Sequence, residues 1–209
     1  MNSAIFSTAY LPPLEYLSAF LRTDKVYIEQ HENYIKQTFR NRCVIPTANG
    51  QLPLSIPIKK GGLHNCSIRQ IQIDYSVPWQ RTHWRTIETA YNISPFFLYY
   101  RDYFNDFYTK QNLNYLFEYN MQLFDLVLKL FGIEKQYAMT SKYIVVTDNG
   151  INDFRQTIQP KQKATTIFSP YRQVFSNRHG FIPNMSCIDL LFNEGKYAKE
   201  YLYKTKSEK

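Results

Sequence analysis

Residues 3–28 carry the pattern that most restricts the fold of this chain. A short apolar run at residues 3–6 predicts a first strand, and the proline pair at 12–13 predicts the start of a helix whose apolar residues recur at helical spacing. A second apolar run at residues 26–28 predicts another strand. Two strands joined by one helix within so short a segment must pair in parallel. The loop at residues 7–11 is therefore expected at the carboxyl edge of the sheet, where open α/β sheets bind ligands.

The next segment predicts a hairpin and further strands. Residues 39–45 and 52–58 flank the turn signal Asn49-Gly50, and this spacing predicts two antiparallel strands. Additional strands are predicted at residues 68–74 and 143–147 from their β-branched and apolar residues.

The second half of the chain is predicted to be mainly helical. Apolar residues recur on one face of residues 79–91 and 113–131, with a very aromatic segment at 96–108 between them. Residues 148–180 are rich in loop signals. The sequence thus predicts an α/β fold: an N-terminal strand–helix–strand crossover with a mixed sheet, followed by a mainly helical half. All of it is expected in a single domain over residues 1–209, with a basic, frayed tail at residues 204–209.

Residues 179–195, which we call the C-terminal signature, predict a short buried helix with both ends specified. Ser186 is a suitable N-cap, and Asp189 three residues later predicts a capping box that reaches back to the Ser186 amide. Residues 187–192 are apolar nearly all round, which indicates burial. Gly195 supplies the left-handed position that ends the helix.

Several blocks of the chain resemble the WbqC-like protein family. The C-terminal signature resembles that of the family, and further blocks follow the same order along the chain: Tyr10-Leu11-Pro12, the Lys-Gln-Thr-Phe-Arg-Asn-Arg sequence at 36–42, the apolar strand at 54–58, Trp79 with His83 and Tyr91, and segments within 153–175. Members of the family are associated with bacterial surface-polysaccharide (O-antigen) gene clusters. The Gln-Pro that opens the first loop of many members, and a glycine-rich segment of longer members, are missing here.

Composition excludes some classes of protein. Apolar residues make up 44% of the 209 residues and charged residues 20%, which is typical of a folded globule and excludes intrinsic disorder. The net charge of +8 favours anionic partners, but no helix-turn-helix, zinc-finger or RNA-binding motif predicts a specific nucleic-acid site. Aromatic residues reach 17%; their rings suit either the core or stacking on sugars and bases.

The cysteines and apolar runs indicate a cytoplasmic protein. Cys43, Cys66 and Cys187 are odd in number and widely spaced, so we expect free, mostly buried thiols rather than a disulfide framework. The first residues lack the pattern of a secretory signal, and no apolar run is long enough for a transmembrane segment.

Cationic side chains are the predicted anion-binding groups, because seven glycines leave little room for a glycine-built phosphate loop. Lys36, Arg40 and Arg42 are the candidates, since guanidinium groups bind phosphate and carboxylate through two hydrogen bonds. Arg40 and Arg42 alternate along a predicted strand and are expected to point together into a cleft. The alternative is an exposed basic strand face with no role beyond solubility.

Two histidines are the candidate catalytic residues, because imidazole transfers protons near neutral pH. His83 lies on the apolar face of a predicted helix, where a buried structural histidine is the alternative. His179 lies in the loop before the signature helix. The pattern Glu29-x-His31 lacks further ligands at a suitable spacing, so no metal site is predicted.

Three further residues are candidates for substrate binding. Tyr10 lies in the first strand-to-helix loop, where the alternative is packing across the helix start. Asn184 and Asp189 flank the start of the signature helix, where a capping role is the alternative. We expect the signature to fold against the first loop, so that His179 and Asn184 approach Tyr10 at the positive end of the helix dipole.

These features support three hypotheses. The resemblance implies a transferase of surface-glycan biosynthesis that binds an activated anionic donor or glycan precursor at the carboxyl edge of the sheet; the sequence does not identify a cofactor. The missing Gln-Pro and glycine-rich segment favour a non-catalytic binding or assembly protein derived from that family. The basic tail favours a module that binds polyanions.

Overall fold

The structure is a computed structural model that describes residues 2–59, 61, 65–110, 112–146 and 150–207. In chain order its elements are β1 (Ser3–Ser7), α1 (Leu14–Arg22), β2 (Lys25–Glu29), β3 (Arg42–Thr47), β4 (Gly50–Ser55), α2 (Trp79–Tyr91), α3 (Phe97–Lys110), α4 (Leu116–Leu130), β5 (Ala138–Met139), β6 (Ile151–Asp153), β7 (Thr166–Ile167), α5 (Ser176–His179), α6 (Cys187–Glu194), α7 (Ala198–Lys204) and β8 (Lys206–Ser207).

The predicted strand–helix–strand crossover is confirmed. β1 and β2 pair in parallel, with Ser3 opposite Lys25 and Ser7 opposite Glu29. β6 adds to β1 and β5 adds to β2, both in parallel, so the sheet has the order β5-β2-β1-β6. The antiparallel hairpin of β3 and β4 is also present, as a separate two-stranded sheet. The α/β class, with a mainly helical second half, is therefore confirmed.

Two predicted strands are wrong. Residues 68–74 form a turn of 3₁₀ helix at Ile68–Gln70 followed by single bridges, one of which joins Ile73 to Ile58. No strand occurs at residues 143–146, and Thr147 lies outside the described residues. The sheet is instead completed by β5 and β6, whose two and three residues are too short to show a periodic pattern.

The helical half packs its aromatic faces onto the crossover. Trp79, Trp84 and Ile87 of α2 are buried, as the apolar spacing predicted. The ring of Phe124 in α4 meets that of Phe20 in α1 edge to face, at a centroid distance of 5.3 Å. Edge-to-face aromatic pairs of this kind add stability beyond the area that they bury.

The signature helix α6 is buried on every side and ends at Gly195, as predicted. Gly195 has φ +55°, and a Cβ at this position would lie 2.4 Å from the ring of Phe96. Both the left-handed backbone and the contact with the ring therefore require glycine.

The C-terminal residues are more ordered than predicted. α7 packs against α1, and β8 pairs with β7 through the register Ile167 to Lys206. Lys204 is ion-paired with Glu200 at 2.7 Å. Residues 208–209 lie outside the described residues. The tail up to Ser207 is therefore part of the fold, which weakens the polyanion hypothesis.

The thiols of Cys43, Cys66 and Cys187 are free, as predicted, and the first and last are buried. Among the described residues, no helix combines the length and the apolar character needed to cross a bilayer.

Candidate functional site

The carboxyl edge of the parallel sheet carries a group of polar residues. Ser7 is the last residue of β1, Glu29 the last of β2 and Asp153 the last of β6, and Thr140 follows β5 directly. Parallel strands end at the same edge, so the sheet topology brings these four residues together from distant parts of the chain.

A buried ion pair lies at the end of β1. Nε and Nη2 of Arg40 donate to the two carboxylate oxygens of Glu32 at 2.9 and 2.5 Å. Nη2 also donates to Oγ of Ser7 at 2.6 Å, and that hydroxyl donates to Glu32 at 3.0 Å. The side chains of Arg40 and Glu32 are only 2% and 5% exposed. This bidentate pair ties the segment before the hairpin to the end of the first strand.

The prediction that Arg40 and Arg42 point together into a cleft is wrong. β3 begins at Arg42, so Arg40 lies before the strand and does not follow its alternation. Arg42 is partly exposed, and its Nε donates to Oγ of Ser55 across the hairpin at 3.2 Å. Arg40 points inward because Glu32, only eight residues earlier in the chain, offers a buried carboxylate.

A second ion pair lies at the end of β2. The fully buried Glu29 accepts from Nη1 of Arg155 at 3.2 Å and from the backbone N–H of Ile144 at 3.1 Å. Its other oxygen accepts from the hydroxyl of Thr140 at 2.7 Å and from the backbone N–H of His31 at 2.8 Å. Four donors therefore surround one carboxylate, which satisfies its hydrogen-bonding capacity in the interior.

Asp153 holds Arg155 from the other side. The guanidinium donates to the two oxygens of Asp153 at 2.9 and 2.6 Å. Burial acts to raise the pKa of Asp153, but the hydrogen bonds and charge of Arg155 outweigh it and hold this pKa below its ordinary value. The half-exposed ring of Tyr143 covers the guanidinium at 4.8 Å, a cation–π contact.

Tyr10 and His83, two of the predicted site residues, meet in the interior. The Tyr10 hydroxyl lies 2.9 Å from Nδ1 of His83 and is also hydrogen-bonded to the hydroxyl of Tyr108. Burial lowers the pKa of His83 to about 4, against the effect of a hydrogen bond with the Ser55 backbone. The imidazole is therefore neutral near neutral pH. Burial also raises the pKa of Tyr10 well above its ordinary value.

The C-terminal signature packs directly against the first loop. The hydroxyl of Ser186 donates to the carbonyl of Leu11 at 3.0 Å, and the backbone N–H of Cys187 donates to the carbonyl of Pro12 at 2.8 Å. Oδ1 of Asn184 accepts from the backbone N–H of Glu15 at 2.8 Å and so caps the start of α1 from a distant part of the chain. Asn184 therefore contacts the first turn of α1, directly after the first loop, and the expected approach of His179 and Asn184 to Tyr10 itself stays a prediction.

Both contacting segments contain a left-handed residue other than glycine. Leu11 has φ +42° and Asn184 has φ +57°. Asparagine tolerates this conformation, whereas leucine is strained there. Such strain persists only where the surrounding contacts enforce it, and it is frequent at ligand sites.

The predicted capping box is wrong. Ser186 makes no side-chain cap, and the Asp189 carboxylate accepts instead from the hydroxyl of Tyr171 and, at 2.7 Å, from Nε2 of Gln173. Burial raises the pKa of Asp189 to about 6, although these hydrogen bonds act in the opposite direction. The Ser186 backbone N–H, which a capping box would use, is already bonded to the Val44 carbonyl. The Asp189 carboxylate therefore accepts from the hydroxyl and amide donors of residues 171–173 instead.

His179 and Lys36 lie apart from these clusters. His179 is exposed, and its Nε2 lies 3.1 Å from the carbonyl of Ala48 in the hairpin turn. Lys36 is also exposed. The structure thus joins Tyr10 to His83 and Asn184 to the start of α1, while His179 contacts the hairpin.

A cavity of about 420 Å³, which we call the edge cavity, lies beside these clusters. Its walls come from the hairpin, the loop after β6 and the start of the signature, and Phe39, Gln159, Lys163, Phe168 and Asn184 are among its lining residues. Nε2 of Gln159 donates to the carbonyl of Arg155 at 3.4 Å, which links the cavity wall to the sheet edge. Of the predicted site residues, only Asn184 lines this cavity.

Glu29, Glu32 and Arg155 are the main residues that the sequence reasoning missed. Glu29 closes a predicted strand of the parallel pair, and its position at the carboxyl edge was a usable signal. Glu32 and Arg155 lie in irregular segments, so no periodic pattern marked them. Among the described residues, no three His, Cys, Asp or Glu side chains are grouped so as to hold a metal ion.

Comparison with known proteins finds similarity over most of the chain. The WbqC-like protein family matches residues 8–172, which include the first loop and the 36–42 block but end before the signature helix. An uncharacterised protein of Mycobacterium tuberculosis is 25% identical over 224 residues, which cover 95% of this chain and 96% of the relative. No solved structure matches the chain significantly. The family match spans most of the chain, and the chain therefore belongs to the WbqC-like protein family.

Proposed function

We propose that this protein is a transferase that modifies a precursor of a bacterial surface glycan and binds its ligands in the edge cavity. One observation carries the proposal: three motif blocks that are far apart in the sequence meet at this cavity. Phe39 comes from the 36–42 block, Gln159 and Pro160 from the segment after β6, and Asn184 from the C-terminal signature. Blocks that carry the family resemblance and converge on one cavity are expected to serve a shared ligand.

The lining suits a ligand with an anionic group and a sugar. Lys163 supplies a positive charge, and Gln159 and Asn184 supply amide groups that can bond to hydroxyls. The rings of Phe39 and Phe168 supply flat apolar surface for the faces of a sugar ring. The anion-binding role expected of Arg40 passes to Lys163 in this proposal, and Arg40 becomes a positioning residue.

The cavity is preformed, because its outer loop is anchored to α1. The buried carboxylate of Glu15 accepts from the backbone N–H of Thr165 at 2.6 Å, from its hydroxyl at 2.9 Å and from the backbone N–H of Thr166 at 3.3 Å. Asn184 caps the same turn of α1. A wall held by such contacts loses little freedom on ligand binding, which favours affinity.

A thermal-shift screen tests the proposal, with nucleotide sugars, acyl donors and free nucleotides as probes. A ligand present at about a hundred times its dissociation constant adds roughly 2.7 kcal/mol to the free energy of unfolding, which raises the melting temperature measurably. Compounds that stabilise the protein are then offered in pairs, and mass spectrometry detects the transferred group.

Two lysines of one loop provide a matched pair of variants. Lys161 and Lys163 are both exposed, but of the two Lys163 alone is among the residues that line the edge cavity. Lys163→Gln is expected to weaken binding about tenfold or more, the loss of one charge-assisted contact, and Lys161→Gln to leave it unchanged. Equal effects of the two variants, or a panel in which no donor stabilises the protein, would contradict the proposed site.

One observation favours the alternative of an assembly protein. In the turn after α2 and the first turn of α3, the side chains of Ile93, Leu98 and Tyr99 are 76%, 74% and 75% exposed. Contiguous exposed apolar surface is typical of protein interfaces. Sedimentation at increasing protein concentration, with Leu98→Glu as the variant, separates the alternatives: self-association that this variant abolishes supports assembly.

A further inference from the structure

A second cavity of about 370 Å³ lies against the signature helix and shares no lining residue with the edge cavity. It is formed by the turn after α2, the segment at residues 172–177 and the C-terminal part of α6. We call it the Arg172 cavity. Its volume is within the range of small-molecule sites.

Polar side chains dominate this cavity. Its polar lining residues are Ser94, Arg172, Gln173, Ser176, Asn177 and Asn193. No carboxylate lines it, and Arg172 makes no ion pair within the part of the chain that the structure describes. The cavity therefore combines one available guanidinium with hydroxyl and amide groups, a composition that suits an anion bearing hydroxyls.

Two buried residues, Gln173 and Asn193, form the floor of the cavity, and hydrogen bonds within the fold fix their side chains. Gln173 is 2% exposed; its Nε2 donates to Asp189 at 2.7 Å and to the carbonyl of Ile182 at 2.9 Å, and its Oε1 accepts from the Ile182 backbone N–H at 2.8 Å. Asn193 is 5% exposed, and its Nδ2 donates to the carbonyl of Asp189 at 2.7 Å. The Asp189 carboxylate thus orients Gln173, and the Asp189 backbone carbonyl orients Asn193.

This orientation determines which chemistry the floor recognises. Because Asn193 uses its Nδ2 inside the fold, Oδ1 is the acceptor that its amide keeps for a ligand. An acceptor selects a hydroxyl donor, whereas Arg172 selects an anionic group. A ligand that satisfies both must carry the two groups on one small skeleton.

We propose that the Arg172 cavity is a binding site for a small polyhydroxylated anion, either a phosphorylated polyol or a sugar acid. Arg172 binds the anionic group, and Ser94, Ser176 and Asn193 bind the hydroxyls. This site is separate from the edge cavity and does not depend on the transferase proposal.

Calorimetric titration of the full chain tests this site with four probes. Glucose 6-phosphate and gluconate carry both an anionic group and hydroxyls, while inorganic phosphate and glucose each carry one of these features. At least one bifunctional probe is expected to bind about tenfold or more tighter than either simple probe, since two kinds of contact act together. The stronger of the two bifunctional probes identifies the phosphate or the carboxylate as the preferred anion.

Matched variants assign the binding to the cavity. Arg172→Gln is expected to weaken the best probe about tenfold or more, and Ser176→Ala to weaken it several-fold. Arg178→Gln removes the same charge from an exposed position that does not line the cavity and is expected to change affinity less than about twofold.

Three results would overturn the inference. The first is the absence of binding by both bifunctional probes, and the second is an equal loss in Arg172→Gln and Arg178→Gln, which indicates attraction by net charge alone. The third is a loss of binding in Lys163→Gln, which would assign the probe to the edge cavity instead. Failure of the screen at the edge cavity has no bearing on these titrations.

Discussion

Two buried acid clusters among the described residues, one at the sheet edge and one at the signature, differ in the partners of their carboxylates. At the sheet edge, Glu29 and Glu32 each face a guanidinium, that of Arg155 and that of Arg40. At the signature, the equally buried Asp189 receives only hydroxyl and amide donors. Opposite charge compensates the burial of a carboxylate, whereas neutral donors do so only in part.

The difference predicts two kinds of behaviour. An ion-paired edge is sensitive to the loss of either partner, because the remaining charge would stay buried without compensation. A carboxylate with neutral partners is instead sensitive to pH, and its pKa of about 6 lies close to the physiological range. The predictions below test this contrast, from the largest expected effect to the smallest.

Arg40→Met is expected to cost about 3–5 kcal/mol of the free energy of unfolding, because it leaves the Glu32 carboxylate buried and unpaired. Urea denaturation followed by circular dichroism measures the loss. The double variant Arg40→Met, Glu32→Gln removes that orphan charge and should recover part of the stability. A loss below about 1 kcal/mol in the single variant would remove the contrast between the clusters.

Asp189 is expected to make stability fall as pH rises. Its folded pKa of about 6 lies above its ordinary value of 3.8, so the folded state holds the proton more tightly. The stabilisation by the tightly held proton is complete below the unfolded pKa and is lost as pH rises through the folded pKa. The free energy of unfolding is expected to fall by about 3 kcal/mol in total over this range.

Urea denaturation of the wild type and of Asp189→Asn at several pH values checks this sign. The stability of the wild type relative to the variant should decrease between about pH 4 and about pH 7. Taking this difference cancels the contribution of His83, whose lowered pKa acts in the opposite direction over the same interval. A difference that rises with pH would show that the carboxylate has a compensating cation.

Tyr171→Phe is expected to cost about 1–3 kcal/mol, since it removes one donor from a buried carboxylate. The loss should be larger above pH 6 than below it, because the charged carboxylate depends more on its donors. Tyr75→Phe is the control, as its hydroxyl donates to the Leu113 carbonyl and has no contact with Asp189. Equal losses at both pH values would argue against a titrating Asp189.

Arg42→Ala is expected to change the free energy of unfolding by no more than about 0.5 kcal/mol. Arg42 is partly exposed, and its side chain bonds across the hairpin to Ser55. Thermal denaturation beside Arg40→Met gives a direct comparison of two arginines that are two residues apart. A loss of several kcal/mol in Arg42→Ala would show that burial does not explain why Arg40 matters more for stability than Arg42.

Local periodicity was sufficient to predict the crossover and most helices. The strands at residues 3–6 and 26–28 and the helix after Pro13 were predicted because each buries a regular apolar face. β5 and β6 were missed because two or three residues exist as strands only when β1 and β2 offer them edges.

Side-chain partners were much harder to predict than elements. The spacing of Ser186 and Asp189 is that of a capping box, yet Leu11, Tyr171 and Gln173 provide their actual partners. A capping motif only offers local hydrogen bonds, and a buried helix meets stronger donors and acceptors from the rest of the chain.

The sequence by itself determined the parallel crossover, the buried signature helix with its glycine end, and the contact between that helix and the first loop. Only the tertiary structure decided which charges are buried. Arg155 reaches Glu29 across 126 positions of the chain, and Asn184 caps a helix 169 positions earlier. A buried polar group is stable only beside a matching partner, and that partner exists only once distant segments have packed together.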